Sequence, residues 1–227
     1  GGLLNSVGLE NVGAERFFKE KLPALKEKGI GVIVSLAAEG WEDYDGLLRV
    51  TAEKDVEAVE INLSCPNVER GGMVVGTDPE LVARYVKLAR KRLPDRAIIA
   101  KLTPNVTDIV SLARSAEKAG ADAVTAINTV LGMDLLGEDS RPVFRRVSAG
   151  LSGPAILPVA LDAVWRITRS IDLPVFGVGG ISSVDDARKF FAAGAFALQI
   201  GTAVFYDHAL AERIVEALEQ QGLPARN

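Results

Sequence analysis

Short, nearly uninterrupted apolar runs alternate with longer amphipathic stretches along this chain. A run without polar positions is typical of a strand that is covered on both faces, as in a parallel sheet between layers of helices. The alternation therefore predicts βα units and an α/β fold. The predicted strands are Gly31–Val34, Ala58–Leu63, Ala97–Leu102, Ala123–Ile127, Pro174–Gly177 and Ala197–Ile200.

The amphipathic stretches predict a helix after most of these strands, and the helix ends carry recognisable signals. Asp78-Pro79 suits an N-cap followed by proline at the first helical position. Gly120 and Gly194 each fall between a helix and a strand, where a left-handed C-terminal residue is expected. The predicted helices are Ala14–Lys28, Trp41–Lys54, Pro79–Arg92, Thr107–Ala119, Leu157–Ser170, Ser183–Ala193 and His208–Gln221.

Two architectures fit such an alternation, an open doubly wound sheet and a closed barrel. No dinucleotide-binding fingerprint follows the first predicted strand, which favours a closed (β/α)8 TIM barrel. A barrel needs eight strands, and the chain starts at Gly1 rather than Met. We therefore expect residues 1–227 to form one barrel domain, N-terminally incomplete, with its first two strands missing. The long stretch from Asn128 to Leu173 should hold a helix and a Gly/Pro-rich loop over the active-site face.

Composition excludes several classes of function. The net charge of −4 lacks the positive field that nucleic-acid binding needs. No apolar run is long enough to span a bilayer, so no membrane partner is expected. A single cysteine cannot form an intramolecular disulfide, which favours a reducing cytoplasm. One Cys and one His do not make a usual metal site, and His208 is expected at the surface.

Polar residues follow the predicted strands at the ends where barrel enzymes place their chemistry. Cys65 lies in the turn Asn62-Leu63-Ser64-Cys65-Pro66-Asn67. A lone cysteine is most often a small core residue, but this polar turn favours a reactive thiol that exchanges a proton with substrate. Asn62, Asn67 and Asn128 could bind a planar, amide-rich ligand, or they could cap turns.

Charge and glycine mark two further strand ends. Lys101 ends an otherwise apolar strand, so it either faces an anionic ligand or reaches solvent at the strand mouth. Gly179-Gly180 and Gly201-Thr202 follow the last two strands, where barrels commonly bind phosphate through backbone N–H groups. Ser182-Ser183, at the start of a helix, strengthens this phosphate prediction.

Taken together, these motifs resemble the dihydroorotate dehydrogenase family. The resemblance rests on motifs that run in order through almost the whole chain. They are Asn5-Ser6-Val7-Gly8-Leu9, Asn62 to Asn67, Gly71-Gly72, Gly76-Thr77-Asp78, Lys101-Leu102-Thr103-Pro104-Asn105-Val106-Thr107-Asp108, Ile127-Asn128-Thr129, Leu151-Ser152-Gly153-Pro154-Ala155-Ile156, Gly179-Gly180-Ile181-Ser182 and Gly201-Thr202.

The resemblance implies an oxidoreductase of de novo pyrimidine biosynthesis that oxidises dihydroorotate to orotate. FMN would be the cofactor, with Cys65 removing the proton from C5 while hydride passes from C6 to the flavin N5. A cysteine at this position is the pattern of the soluble class. The glycine details most resemble the NAD-linked (B-type) catalytic subunit, which implies a homodimer and a separate iron–sulfur/FAD subunit that passes electrons to NAD.

The family's site residues carry over to matching positions of this chain. The implied substrate-binding residues are Asn5, Ser6, Val7, Gly8, Leu9, Asn62, Asn67, Asn128 and Thr129. The implied cofactor-binding residues are Ser35, Asn62, Lys101, Ile127, Gly153, Gly179, Gly180, Gly201 and Thr202. Among these, Lys101 would contact the flavin near N1 and O2, where a cation stabilises the reduced anion.

Three departures from the family leave alternatives open. The family's first two strands have no counterpart, Ser35 stands where Asn usually contacts the flavin, and Ala149 replaces a common Gly. One alternative is a dihydropyrimidine dehydrogenase-type flavin barrel that acts on uracil or thymine. The other is a non-catalytic barrel fragment that serves as a binding or assembly module.

Overall fold

The computed structural model describes residues 1–63, 72–137 and 140–220, with the side chains of 72–74 outside the description. Two kinds of strand occur in these ranges, those of a parallel sheet and those of short antiparallel additions. In chain order they are β1 (Leu3–Asn5), β2 (Ile33–Leu36), β3 (Ala58–Asn62), β4 (Ala97–Lys101), β5 (Ala123–Ala126), β6 (Val130–Gly132), β7 (Leu135–Leu136), β8 (Arg141–Pro142), β9 (Ala149–Ser152), β10 (Val175–Val178) and β11 (Ala197–Gln199).

Helices connect the strands of the parallel sheet and lie against it. The α-helices are α1 (Ala14–Arg16), α2 (Leu22–Glu27), α3 (Trp41–Ala52), α4 (Gly72–Thr77), α5 (Pro79–Arg92), α6 (Ile109–Lys118), α7 (Leu157–Thr168), α8 (Val184–Ala192) and α9 (Leu210–Glu219). A π-helical turn at Phe17–Lys21 and 3-10 turns at Pro154–Ile156 and Thr202–Phe205 complete the set in the described ranges.

The order of the parallel sheet is that of a barrel. Within the described residues six strands pair in the order β2-β3-β4-β5-β10-β11, and every pairing is parallel. Each strand of this sheet thus lies beside the next one along the chain, without the reversal of order that creates the crevice of a doubly wound sheet. The six predicted strands are confirmed, with bounds that shift by at most two residues. The predicted (β/α) barrel architecture is confirmed as well.

The sheet separates an apolar outer face from a partly polar inner face. Val59, Ile61, Ile98 and Val124 are fully buried and belong to the core between sheet and helices. Burying a side chain of this size contributes about 1.5–3 kcal/mol each, so the sheet–helix layer is the main source of stability. Alternation places the intervening residues on the inner face, which leads to the site.

The first predicted helix, Ala14–Lys28, is interrupted. It consists of α1, the π turn and α2, and Pro23 lies at the start of α2. Proline has no N–H to donate to the carbonyl four residues earlier, which accounts for an irregular turn just before it. The predicted helix Pro79–Arg92 is confirmed with its exact bounds, and the other predicted helices are confirmed with shorter ends.

The segment Asn128–Leu173 differs most from its prediction. The expected helix is α7, but the expected loop contains β6 and β9, which pair antiparallel with each other. β1 pairs with the other edge of β9 and completes a three-stranded sheet. These strands are only three or four residues long and half exposed, so they lack the apolar run that marks the barrel strands.

The predicted helix signals are confirmed. Asp78 Oδ1 accepts hydrogen bonds from the backbone N–H groups of Glu80 at 2.8 Å and Leu81 at 3.3 Å. Gly120 and Gly194 adopt φ values of +96° and +102°, which a residue with a side chain rarely adopts. In the described part of the chain, no helix combines the length and apolarity that a bilayer crossing requires.

Candidate functional site

A cavity of about 530 Å³ opens at the carboxyl ends of β4, β5, β10 and β11, and β1 and β9 form one of its walls. Eleven of the residues predicted for substrate or cofactor lie in its lining. They are Asn5, Val7, Lys101, Ile127, Asn128, Thr129, Gly153, Gly179, Gly180, Gly201 and Thr202. The fold therefore gathers residues that are up to about two hundred positions apart in the sequence into one concave surface.

Five other predicted residues lie elsewhere. Leu9, Ser35 and Asn62 line a second cavity of about 640 Å³ beside β2, while Ser6 and Gly8 are in neither lining. The two cavities are linked, because the Asn128 side-chain amide donates a 3.3 Å hydrogen bond to Asn62 Oδ1. Cys65 and Asn67 fall outside the described residues, so their roles stay predictions.

Glu60 is the centre of a polar network on the inner face of the sheet, and it is 4% exposed. Its Oε1 accepts a 3.0 Å hydrogen bond from the Ser35 hydroxyl, which lies opposite Glu60 in the β2–β3 register. Its Oε2 accepts from Thr125 Oγ1 and from Gln199 Nε2, both at 2.8 Å. The carboxylate is thus well supplied with donors, as a buried charge requires.

The Lys101 ammonium joins this network at the cavity wall. Lys101 Nζ donates to Gln199 Oε1 at 3.0 Å and lies 3.5 Å from Glu60 Oε1. The Lys101 side chain is 17% exposed, so its charge is held at the cavity and not in bulk solvent. The structure thus places Lys101 at the cavity wall and not in bulk solvent, and its contact with a ligand stays a prediction.

The glycines at the far end of the cavity differ in whether packing requires them. A Cβ at Gly180 would lie 2.8 Å from the Leu157 backbone nitrogen, and one at Gly179 would lie 2.7 Å from Ala160 Cβ. Both also have positive φ. Packing against α7 therefore requires glycine at both positions whatever the cavity binds. A Cβ at Gly201, by contrast, would meet no protein atom within 4 Å.

Two hydroxyl groups stand beside these glycines. Thr202 Oγ1 donates to Ser152 Oγ at 2.8 Å, and both residues line the cavity. Hydroxyl groups and backbone N–H groups donate hydrogen bonds to phosphate oxygens. This end of the cavity therefore has the groups that can hold an anion.

Ser182 and Ser183 do not contribute to that anion site. Both hydroxyls donate to Asp186 Oδ2, at 3.0 Å and 2.8 Å, and the Asp186 N–H donates to Ser183 Oγ. This is a capping box at the start of α8. Neither serine is in the cavity lining, so the part of the phosphate prediction that rested on them has a structural explanation instead.

Asn105 holds the loop that carries Thr129. Its Nδ2 donates to the Thr129 carbonyl at 3.0 Å, and its Oδ1 accepts from the Leu131 N–H at 2.9 Å. These bonds tie the turn after β4 to the start of β6. Asn105 therefore positions the cavity wall, a role that the sequence did not indicate.

Sequence analysis also missed Glu60, Gln199 and Ser152. The sequence did contain a signal for Glu60, because a carboxylate inside the run Ala58–Leu63 is as unusual as Lys101 in its own run. Gln199 interrupts the last predicted strand in the same way. Within the described residues, no group of three or more His, Cys, Asp or Glu side chains could hold a metal ion.

The family model described as dihydroorotate dehydrogenase matches residues 1–221. This chain belongs to the dihydroorotate dehydrogenase family. Several curated members of the family are similar over almost the whole chain. A protein of Citrifermentans bemidjiense named dihydroorotate dehydrogenase B (NAD(+)), catalytic subunit, is 46% identical over 221 residues, which are 97% of this chain and 72% of the relative. A Trichlorobacter lovleyi protein of the same name is 47% identical with the same coverage.

A solved member of the family has the same fold. It is a DHODH from Eimeria tenella, crystallised in complex with ferulenol. The TM-score is 0.79 at 19% identity, over 98% of this chain and 69% of that one. The six parallel strands in barrel order and this likeness both support the barrel architecture.

Two departures from the family pattern now have a location. The Ser35 hydroxyl is committed to Glu60, so it takes part in the inner-face network. Ala149 is fully buried and lies opposite Gly132 in the β6–β9 register, away from the cavity lining. The change at 149 therefore falls within the sheet that forms the wall.

Proposed function

We propose that this chain oxidises dihydroorotate to orotate, with FMN as the hydride acceptor, in de novo pyrimidine biosynthesis. The observation that carries the proposal is the cavity, which presents the Lys101 ammonium and the Asn128 amide near strands β4 and β5 and a glycine- and hydroxyl-lined end near β11. Membership of the family and the names of the relatives supply the reaction.

The residues present fit a flavin nucleotide. A volume of about 530 Å³ is within the range of small-molecule sites. Lys101 offers a cation to the ring, and the open space at Gly201 beside Thr202 and Ser152 offers room and donors to a phosphate. When bound, FMN supplies the hydride acceptor.

The chain's own groups would bind and orient the substrate. Asn128 and Asn5 present amides that can pair with the amide edge of a dihydropyrimidine. Asn5 is held by its bond to the Gly150 carbonyl at 3.3 Å, and Asn128 by its bond to Asn62. Cys65, three residues beyond the end of β3 at Asn62, would accept the proton that leaves substrate carbon.

The Cys65→Ala variant tests the proposed base. It should keep its flavin and lose dehydrogenation by at least about a hundredfold, because only proton transfer is removed. The measurement is the rate of flavin reduction by dihydroorotate in single turnovers, with flavin content from the absorbance spectrum. Near-normal reduction in this variant would assign the proton to another group.

Substrate choice separates this proposal from its alternatives. Reduction of the bound flavin by dihydroorotate and not by dihydrouracil supports it, whereas the opposite preference supports a dihydropyrimidine dehydrogenase-type activity. A purified protein that is colourless and takes up no added FMN would support the non-catalytic interpretation.

We further propose a homodimer and a separate electron-transfer subunit with iron–sulfur and FAD centres. The name of the relatives describes a catalytic subunit of an NAD(+) enzyme, which supports the separate subunit. The purified chain alone should then reduce an artificial acceptor but not NAD. A reducing cytoplasm suits a working thiol, and we propose that location.

A further inference from the structure

Glu60 is buried where an apolar residue would be expected. The neighbouring positions of β3 and β4, Val59, Ile61 and Ile99, are all apolar and buried. Replacing a buried ion pair by well-packed apolar residues is often neutral or stabilising. Stability alone therefore gives little reason for a carboxylate at this point of the barrel interior.

The partners of Glu60 divide into two groups. Ser35 and Thr125 hold the carboxylate from within the sheet and are absent from the lining of the cavity that contains Lys101. Lys101 and Gln199 hold it from the cavity side and line that cavity themselves. Glu60 does not line the cavity, so its influence on a ligand would pass through these two side chains.

The geometry sets how strongly Lys101 can act on a ligand. Its ammonium is shared between Gln199 Oε1 at 3.0 Å and Glu60 Oε1 at 3.5 Å. Gln199 is fixed in turn, because its Nε2 donates to Glu60 at 2.8 Å and to Thr125 Oγ1 at 3.3 Å. The carboxylate thus fixes both the place of the cation and the fraction of its charge left uncompensated.

We propose that Glu60 is a positioning residue that sets the reduction potential of the bound flavin through Lys101 and Gln199. The inference rests on the proposed function, since it takes FMN as the ligand of the cavity. Glu60 attenuates the positive charge that Lys101 presents to the reduced, anionic flavin. It also prevents Lys101 from moving away from the wall.

The Glu60→Gln variant tests this role in the full chain. Freed from its counter-charge, Lys101 should favour the reduced flavin over the oxidised flavin at least tenfold more than in the parent protein. For a two-electron couple that is a rise in midpoint potential of about 30 mV. The potential is measured by reduction against a reference dye.

Lys101→Met and the double variant show whether the effect passes through Lys101. The proposal requires that Glu60→Gln shift the flavin preference less than threefold once Lys101 is Met. An equal shift in both backgrounds would mean that Glu60 acts on the flavin directly, and it would overturn the proposal. No shift in either background would overturn it too.

Thr125→Val is the control for the loss of hydrogen bonds alone, because it removes the bond from Thr125 to Glu60 and the longer bond from Gln199 to Thr125 and changes no charge. It should lower stability yet shift the flavin preference less than threefold.

If Glu60→Gln does not fold, Gln199→Met serves in its place. Lys101 then pairs with Glu60 alone, and the reduction potential of the flavin should fall. A rise or no change in Gln199→Met would count against the proposal.

Failure of this inference is distinguishable from failure of the proposed function. A parent protein that binds FMN but is not reduced by dihydroorotate overturns the activity and leaves the comparison of potentials valid. A parent protein that is reduced by dihydroorotate, with a potential insensitive to Glu60, overturns the inference alone. A parent protein that takes up no FMN overturns both.

Discussion

The cavity is lined by glycines that packing requires and by a glycine that packing does not require. Gly180 is required by packing, since its φ is +77° and a Cβ would lie 2.9 Å from the Gly153 carbonyl oxygen. Gly201 has no such neighbour, and its φ of −108° is negative. A side chain at 201 would extend into open space at the cavity. Gly201 is therefore the position where ligand binding and folding can be separated.

We expect Gly201→Ala to reduce FMN affinity at least about tenfold, because a methyl group would compete with the phosphate for the same space. The unusual ψ of −91° should add a cost in stability of about 1–3 kcal/mol. Gly46→Ala is the control, since Gly46 lies at an exposed position of helix α3 and also faces open space. That variant should bind FMN normally and gain about 0.5–1 kcal/mol. Fluorescence titration with FMN and urea unfolding provide the two measurements. Unchanged affinity in Gly201→Ala would place the phosphate elsewhere.

Lys101 and Glu60 show how far single residues could be predicted. A charge in an apolar strand indicates a special role, and this argument identified Lys101. It applies equally to Glu60, but the partner of each charge depends on strand register. Lys101 lies opposite Thr125, and Glu60 lies opposite Ser35 and Ile99. Those pairings join segments that are 24 to 39 positions apart, and the Gln199 bridge joins segments that are 98 and 139 positions apart. Periodicity within one segment contains no information about them.

Helix α8 shows the same limit for a whole element. Its start and length follow from Ser183 and the apolar periodicity, and both were predicted. The phosphate-binding role predicted for Ser182 and Ser183 was not supported, because both hydroxyl groups donate hydrogen bonds to Asp186. Burial tends to raise the pKa of Asp186, but hydrogen bonds from Ser183, then Ser182 and Lys189, outweigh it and hold the pKa below its usual value.

The stability contributed by this cap should depend on pH. Because the pKa of Asp186 is lower in the folded than in the unfolded state, its contribution is fully present above the unfolded value of about 4 and is lost as the pH falls through the folded value. At pH 7, Asp186→Asn should cost about 2 kcal/mol, the contribution of hydrogen bonds to a charged group. The difference in the free energy of unfolding between parent and variant should shrink below about pH 4. Urea unfolding at pH 7, 5, 4 and 3.5 measures it.

Asp185→Asn is the control for that series. Asp185 is exposed and pairs with Lys189 at the surface, so its loss should change stability by less than about 0.5 kcal/mol at every pH. A cost for Asp186→Asn that stays constant from pH 7 to pH 3.5 would contradict the role of the charged carboxylate.

The parallel sheet was predictable and the antiparallel sheet was not, for a physical reason. A barrel strand is largely covered on both faces and is therefore mostly apolar. β1, β6 and β9 gain their stability from pairing with one another, and β1 lies about 145 positions from β9 in the chain. Gly150 permits this pairing beside Thr129, since a Cβ there would lie 2.7 Å from Thr129 Oγ1.

The cavity belongs to the six-stranded sheet and its antiparallel addition together, and to no single motif. Strand ends β4, β5, β10 and β11 supply its floor, and the β1–β9 pair supplies a wall. Sequence analysis identified the residues of the floor because barrel enzymes use strand ends. The strand pairing that builds the wall, and the places of Leu3 and Ser152 in it, required the structure. A ligand that contacts floor and wall at once would hold distant segments of the chain together, and it should stabilise the folded state as a whole.

The thermal unfolding temperature, Tm, should therefore rise when FMN is added. A ligand that binds only the folded state at a hundred times its dissociation constant stabilises it by about 2.7 kcal/mol. For a domain of this length that corresponds to an increase in Tm of roughly 5–10 °C. Riboflavin has the same ring without the phosphate, so at equal concentration it should give less than about half of this increase if the Gly201–Thr202 end binds phosphate. Gly201→Ala should respond to FMN and riboflavin alike. An equal increase with both flavins in the parent protein would show that the phosphate is not recognised, and no increase with either would remove FMN as the ligand.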